Sequence, residues 1–333
     1  MNLQSRIDAF SSWVCVHKEA LRKDPLLLQE GIGLLDGSLH GECELLEGKL
    51  HIILSADDPL WYYVLAQIQV ADKDIIFHAG RDPLKDADYS VTLFDRELRA
   101  SQVMIHMGAQ QDLHVYHEAL CACSEEEATV CVKVMLEASL GDALAATQIA
   151  LIIIEKQPLS EGIALNALYD ALCAEMDDPS PAAIFTPYQP SLRNRRPLPR
   201  FDILAGTTCL PSLVNEYYLD VSRTFRDLQH IGACPCYICV DADVDTLEQL
   251  LDVRTEAAAR LQEAFAAHTL HGLLIGSALG SAHAYIDLLL FAPITLAQLQ
   301  ETAGNDHVRL SLYLFHQGSQ AAQLADIQAD LAG

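Results

Sequence analysis

The sequence predicts an α+β protein of two domains, and three observations lead to this fold class. The chain has 333 residues, more than a single domain usually contains. Strand-like segments and amphipathic helical segments follow one another in both halves. Between Met176 and Arg200, the sequences DDPSP, TPYQP and RNRRPLPR concentrate proline, which fits neither a helix interior nor a central strand. We therefore predict an N-terminal α+β domain at 1–178, a Pro/Arg-rich linker at 179–200 and a C-terminal α+β domain at 201–333.

The N-terminal domain begins with an amphipathic helix. Apolar residues from Ile7 to Leu21 recur at i, i+3 and i+4 spacing, and Pro25 ends the pattern. Trp13 belongs to the apolar face, so we expect it to be largely buried against the first sheet.

The following segment predicts a ββαβ unit. Two strands, Glu42–Leu46 and His51–Ser55, flank Glu47-Gly48-Lys49, a sequence typical of a hairpin turn. Asp58-Pro59 supplies an N-cap and a first-turn proline for a helix. A strand at Ile75–His78 completes the unit.

A second ββαβ unit is predicted next. Gln102–Met107 and Leu113–Cys121 indicate strands, a capping box at 124–127 begins a helix, and Ile149–Ile154 indicates a buried strand. The alternation within Cys131–Leu136 fits a strand as well as a helix. The N-terminal domain is therefore expected to be a mixed or antiparallel sheet made from two ββαβ units with covering helices.

The C-terminal domain shows the order βαββαβ, which predicts a ferredoxin-like sandwich with both helices on one face of an antiparallel sheet. Asp245 is expected to cap the first helix, with Glu248 completing a capping box. The predicted strands and helices are Cys236–Val240, Thr246–Ala267, Leu270–Ala278, His283–Phe291, Thr295–Ala303 and Val308–Phe315.

The charge balance restricts the classes of partner. The chain carries 46 Asp and Glu against 21 Lys and Arg, a formal net charge of -25. Such a surface repels nucleic acid and anionic membranes, so we expect neither as a partner. A protein partner with a basic patch is favoured. The oligomeric state stays open.

Arginines in the linker admit two interpretations. Arg193, Arg195, Arg196 and Arg200 form a basic link between two acidic domains. They can be a partner-binding strip for an acidic protein, or they can be an internal clasp onto one of the acidic domains, which we favour.

Other features favour a cytoplasmic protein. The first ten residues include Asp8 and lack the apolar run of a signal peptide. The uncharged stretch from Ala264 to Ile286 contains three histidines, so it indicates strands rather than a membrane span. The ten cysteines are then expected to be reduced thiols.

No metal or cofactor is predicted. Cys234, Cys236 and Cys239 are weak zinc candidates, because one strand separates their sulfurs and no second cysteine pair follows. Gly276–Gly280 lacks the nucleophile elbow, and Gly31-Ile32-Gly33 lacks a phosphate-binding motif. Catalytic residues therefore stay unassigned.

Three short motifs resemble those of a bacterial family of domains of unknown function numbered six-nine-five. They are Ile53-Leu54-Ser55-Ala56-Asp57, Ala79-Gly80-Arg81 and Leu140-Gly141-Asp142, and the resemblance covers about residues 7–175. The chain departs from the family at three places: Asp58 replaces a glycine, Asp142 replaces a glutamate, and His78-Ala79-Gly80-Arg81 matches the family's A-F-R segment only loosely. The resemblance implies no catalytic residues, and it implies a C-terminal domain like the ribonuclease E inhibitor B fold in topology.

These observations favour a non-catalytic binding protein, a regulator or a toxin-neutralising protein, over an enzyme. The alternative is a hydrolase whose acidic residues line a cleft between the domains. His283 and Asp287, on one face of a predicted strand, would be the first pair to consider.

Overall fold

The computed structural model describes residues 1–84, 88–108, 111–174, 176, 179–190, 198–304 and 308–319. The chain is a mixed α+β protein and divides into two compact units. The N-terminal unit is Ser11–Pro181. The C-terminal unit combines Met1–Phe10 with Ala182–Gly333.

Helix α1, Leu3–Leu21, is followed by a short 3-10 turn at Pro25–Leu27 and by helix α2, Leu28–Leu35. Asp24 caps the turn, and its carboxylate accepts the N–H of Leu26. Trp13 has an intermediate exposure, so most of its surface is buried, as expected. Its indole stacks on His17 and lies over Gly31, leaving no room there for a Cβ.

The first ββαβ segment has its elements close to the predicted positions, but its helix begins at Trp61 with Leu60 as the N-cap, so the predicted cap at Asp58 is wrong. Strands β1 and β2 form an antiparallel hairpin, in which Glu47 and Gly48 adopt the left-handed φ angles that a tight turn requires. Strand β3 pairs in parallel with β2, giving the order β1-β2-β3. The bounds are β1 Leu39–Leu46, β2 Lys49–Ala56, α3 Trp61–Leu65 and β3 Ile75–Ala79.

A small hairpin and a second sheet complete the strands of the N-terminal unit. In the second sheet, antiparallel strands β6 and β7 are joined by parallel β8 and by short β9, in the order β8-β7-β6-β9. The bounds are β4 Ser90–Leu93, β5 Arg96–Arg99, β6 Met104–Met107, β7 Asp112–Tyr116, α4 Glu118–Cys121, α5 Glu125–Gln148, β8 Leu151–Ile154, β9 Ile163–Ala164 and α6 Leu168–Cys173.

Two expectations for this region are corrected. The two ββαβ segments form separate sheets rather than one mixed sheet. The strand predicted to reach Cys121 ends at Tyr116, because His117 caps helix α4 by accepting the N–H of Ala119. The capping box of Ser124 and Glu127 is confirmed, and Cys131–Leu136 is helical.

The C-terminal unit contains one six-stranded sheet, in the order β10-β11-β13-β14-β12-β15, whose neighbours are all antiparallel. The bounds are β10 Thr186–Tyr188, β11 Ile203–Thr208, α7 Pro211–Leu219, α8 Arg223–His230, β12 Cys234–Ala242, α9 Leu247–Ala266, β13 Gly272–Gly280, β14 Ala284–Leu290, α10 Leu296–Ala303 and β15 Val308–Leu314.

The two faces of this sheet are covered differently. One face packs against α9 and α10 in a core that includes Ile238, Ile286, Leu261 and Leu299. The other face carries aromatic and charged side chains described below. Thr246 caps α9, with Gln249 completing the capping box, so the cap lies one residue after the predicted Asp245.

The predicted linker is in part structured. Strand β10 pairs with β11, and Arg200 is fully buried in the C-terminal unit. The described residues from 182 onward therefore belong to that unit rather than to a free connection. Pro187 is accommodated because β10 is an edge strand.

Candidate functional site

The arginines of the predicted partner-binding strip fall into two groups. Arg193, Arg195 and Arg196 lie outside the described residues. The Arg200 guanidinium forms a fully buried ion pair with Asp287. For Arg200, the internal clasp is the interpretation that the structure supports.

The three weak zinc candidates do not converge. Cys234 and Cys236 lie in the core beside residues of α9, whereas Cys239 is on the opposite face of strand β12. All three are buried. Within the described ranges, no group of three or more His, Cys, Asp or Glu side chains is arranged to hold a metal ion.

His283 and Asp287 also have separate partners. Asp287 pairs with Arg200, whereas Nδ1 of His283 lies 3.8 Å from Oδ2 of Asp202. Asp202 accepts the backbone N–H of His283 at 3.1 Å and the hydroxyl of Tyr285 at 2.5 Å. These hydrogen bonds stabilise the turn between β13 and β14. His283 and Asp287 therefore do not form the pair that the sequence suggested.

A cavity of about 760 Å³ in the N-terminal unit is the strongest candidate site. We call it the cleft. Its wall includes residues from all three short motifs at 53–57, 79–81 and 140–142. The residues that line it are His40, Ser55, Ala56, Asp57, Pro59, Tyr62, Arg81, Glu125, Thr129, Lys133, Leu136, Glu137, Asp142, Ala145, Ala146, Ile149, Ala150, Leu151 and Ile152.

The position of the cleft follows from the sheet. Strands β2 and β3 are parallel, so their carboxyl ends meet at one edge, where ligands commonly bind in parallel sheets. Ser55 and Asp57 come from the end of β2, and Arg81 follows the end of β3. Helix α5 supplies the opposite wall.

Helix α5 is interrupted at Gly141, which has φ 76° and ψ 162°. The segment 81–84, which follows β3, forms hydrogen bonds with the helix backbone at this break. The N–H of Asp142 donates to the carbonyl of Arg81 at 3.1 Å, and the N–H of Leu84 donates to the carbonyl of Ala138 at 2.8 Å. The two groups that would bond to each other in an unbroken helix are thus both satisfied.

Close packing brings the motifs Ala79-Gly80-Arg81 and Leu140-Gly141-Asp142 together. A Cβ on Gly80, where φ is 90°, would lie 2.8 Å from the Asp142 Cβ and 3.1 Å from the Tyr62 ring. A Cβ on Gly141 would lie 2.6 Å from the Arg81 carbonyl oxygen. Both positions therefore require glycine, for backbone conformation and for space.

Acidic groups outnumber basic ones in the cleft. Among the described residues, its wall contains four carboxylates, from Asp57, Glu125, Glu137 and Asp142, and two cations, from Arg81 and Lys133. The Arg81 guanidinium is already paired with Glu42. The cleft therefore favours a cationic ligand.

Local environment shifts the proton affinity of two cleft residues. Desolvation raises the pKa of Glu137, and the neighbouring Asp142 raises it further, whereas Arg81 and Lys133 oppose the shift. Burial raises the pKa of Tyr62, whose side chain is only 3% exposed. The Tyr62 oxygen accepts the N–H of Ala56 at 3.4 Å.

Sequence reasoning did not identify this site as such. Tyr62, Lys133 and Glu137 match no catalytic or metal-binding motif, and acids are common in this chain. The available signal was Gly141 within an otherwise helical segment, because a glycine there marks a break or a close approach.

Comparison of the chain with protein families, with curated proteins and with solved structures found no match in any of the three. None of the helices in the described part of the chain is long and apolar enough to span a bilayer.

Proposed function

We propose that this protein is a non-catalytic binding protein, a regulator or a toxin-neutralising protein, that holds a basic segment of a protein partner in the cleft. One observation carries the proposal: the described residues of the cleft wall include four carboxylates against two cations, one of which is already paired with Glu42. A lysine or arginine side chain entering the cleft gains charge complementarity.

The remaining wall of the cleft suits the aliphatic part of such a side chain. Leu136, Ala145 and Ala146 of α5 line it together with the ring of Tyr62. Long basic side chains bury their methylene groups on apolar surface while the charged end stays near carboxylates. The net charge of -25 adds long-range attraction for a basic partner.

A short oligolysine peptide tests this proposal directly, with binding measured by calorimetry. We expect binding that weakens between about 0.05 and 0.5 M salt. The double variant Asp57→Asn/Glu137→Gln removes two cleft charges, and we expect it to lower affinity by about fivefold or more.

The matched control removes two exposed carboxylates from α9 in the C-terminal unit. Glu248→Gln/Asp252→Asn changes net charge equally, and both side chains are exposed and have no ion pair among the described contacts. We expect it to change affinity by less than about twofold. An equal loss of affinity in the two variants would show that the peptide is attracted to the whole acidic surface. That result would overturn the proposal that the cleft is the binding site.

A hydrolase is the second candidate function. It is favoured by the raised pKa of Glu137 beside Asp142, since a carboxyl group with raised pKa can act as a general acid. Mass spectrometry of the oligolysine peptide after long incubation separates the two functions for this ligand. A binding protein returns the peptide intact, and a peptide hydrolase cleaves it.

We also propose the finer assignments of fold, family and location. Strands β15-β12-β14-β13, all antiparallel and covered on one face by α9 and α10, support a ferredoxin-like unit. The meeting of the three motifs at the cleft supports membership of family six-nine-five for residues 7–175. A cytoplasmic location stays a proposal from composition.

A further inference from the structure

Arg200 is the largest fully buried side chain of the C-terminal unit. Its two terminal nitrogens donate to the two carboxylate oxygens of Asp287, and Nη2 also donates to the Tyr188 hydroxyl at 2.8 Å. Both charged side chains are fully buried, with at most 1% of their surface exposed.

Aromatic rings surround the guanidinium. Its carbon lies 4.6 Å from the ring centre of Phe315, 5.1 Å from Tyr237, 5.5 Å from Tyr285 and 5.7 Å from Tyr217. At these distances the rings attract a cation, most strongly where water is excluded. We call this set of rings, together with Asp287 and Tyr188, the cage.

The cage is built by elements other than the one that fills it. Asp287 and Tyr285 come from central strand β14, Tyr237 from β12, Tyr217 from α7 and Tyr188 from edge strand β10. With no cation present, the Asp287 carboxylate would be a buried, unpaired charge among rings. Such a charge is strongly unfavourable in a protein interior.

The backbone at Arg200 is held so that its side chain reaches this position. Arg200 has φ 68°, in the left-handed region that non-glycine residues rarely adopt. Its N–H donates to the Tyr285 hydroxyl at 3.0 Å, and its carbonyl accepts from the Tyr218 hydroxyl at 3.2 Å.

We infer that the cage is a guanidinium-binding site that the chain fills with its own Arg200. A planar guanidinium satisfies both oxygens of Asp287 and Tyr188 at once while its faces contact rings. An ammonium group is a compact point charge and cannot reproduce this forked pairing. The site thereby fastens the end of the Pro/Arg-rich segment to the sheet.

This inference does not depend on the proposed function. The cage belongs to the C-terminal unit, and none of its residues lines the cleft. Failure of either proposal therefore leaves the other unaffected.

Chemical rescue of the variant Arg200→Ala tests the inference. Truncation leaves the cage without its cation, and free methylguanidinium at millimolar concentration should occupy it. We expect the Tm of the variant to rise with ligand, by about 3–6 °C at roughly ten times the dissociation constant, and to saturate. Wild-type protein should show no such rise, since its cage is filled.

Two controls define the ligand class. Methylammonium should not raise the Tm of Arg200→Ala, because it lacks the forked donors. The double variant Arg200→Ala/Asp287→Asn lacks the anion, so methylguanidinium should not raise its Tm either. A rise of equal size in wild type, or in this double variant, would overturn the inference.

If Arg200→Ala does not fold by itself, refolding provides the readout. Recovery of near-ultraviolet circular dichroism is then compared with methylguanidinium, with methylammonium and without either. Recovery with methylguanidinium alone supports the site. No recovery with it, or no rise of Tm in a folded variant, overturns the site.

Discussion

Arg81 and Asp142 hold each other by two hydrogen bonds across 61 residues of sequence. The N–H of Asp142 donates to the Arg81 carbonyl at 3.1 Å, and the N–H of Arg81 donates to Oδ2 of Asp142 at 3.0 Å. This reciprocal pair fixes the end of β3 to the break in α5, and the cleft lies beside it. The conformation of Gly141 is therefore a condition for the shape of the cleft.

Gly141→Ala should destabilise the N-terminal unit by about 2–4 kcal/mol. Alanine at φ 76° is strained, and its Cβ would lie 2.6 Å from the Arg81 carbonyl oxygen. The free energy of unfolding, from urea denaturation, measures the effect.

Gly33→Ala is the matched control for this substitution. Gly33 lies in helix α2 and has nothing within 4 Å of its Cβ position. Alanine is the better helix former there, so we expect stabilisation by about 0.5–1 kcal/mol. A harmless Gly141→Ala variant would show that the helix break is not fixed as described.

The buried ion pair in the cage gives a second prediction. Asp287→Asn should destabilise the protein by about 3–5 kcal/mol, because it leaves the Arg200 charge buried without its anion. The exposed pair of Arg260 and Glu256 on α9 provides the comparison, and Glu256→Gln should change stability by less than about 0.5 kcal/mol. Similar losses of stability in Asp287→Asn and Glu256→Gln would contradict this account of the cage.

The imidazole of His114 predicts a pH dependence of stability. Its Nδ1 lies 2.7 Å from Oε1 of Glu155, and its Nε2 lies 3.1 Å from Oδ2 of Asp112. Hydrogen bonding to Glu155, the largest effect, and to Asp112 raises the pKa of His114 above 6.5. A raised pKa in the folded state means that the charged imidazole stabilises the fold.

This stabilisation is complete below pH 6.5 and is lost as pH rises through the raised pKa of the folded state. Unfolding free energies of wild type and His114→Gln, measured across this range, should therefore differ most at the acidic end. The difference should shrink as pH increases. A difference that grows with pH would show that the neutral ring is the form that the carboxylates favour.

Local signals in the sequence predicted local structure well. The hairpin at Glu47-Gly48 follows from the residue types that a tight turn needs, and the start of α5 follows from the capping box at Ser124. The cap of α9 was misplaced by one residue, because Asp245 and Thr246 are both good N-caps and only backbone geometry selects Thr246.

These local signals could not predict which residues far apart in the sequence come into contact. Arg200 and Asp287 are 87 residues apart. The apolar residues on both sides of Asp287 indicate a buried charge, but nothing in the sequence identifies Arg200 as its partner. The cleft needs Arg81 to meet a helix break that follows it by 60 residues. Residue types and spacing identify turns, caps and periodic faces, but they do not specify which segments of the chain meet.

The cysteines provide a last prediction, in which reactivity follows burial. The structure describes ten free cysteines, so denatured protein without reductant should titrate close to ten thiols. In the folded protein, Cys209, Cys234, Cys236 and Cys239 of the C-terminal unit are buried. Burial raises the pKa of Cys209 and of Cys239 to about 12, so little thiolate exists at neutral pH.

Iodoacetamide labelling followed by mass spectrometry should therefore separate the thiols into a fast-reacting and a slow-reacting group. Cys15, Cys43, Cys121 and Cys123 are partly exposed and should be labelled first. The four buried cysteines of the C-terminal unit should react only when the protein unfolds, because alkylation requires both access and a thiolate. Early labelling of Cys236, which lies in the core beside α9, would show that this sheet opens in the native state.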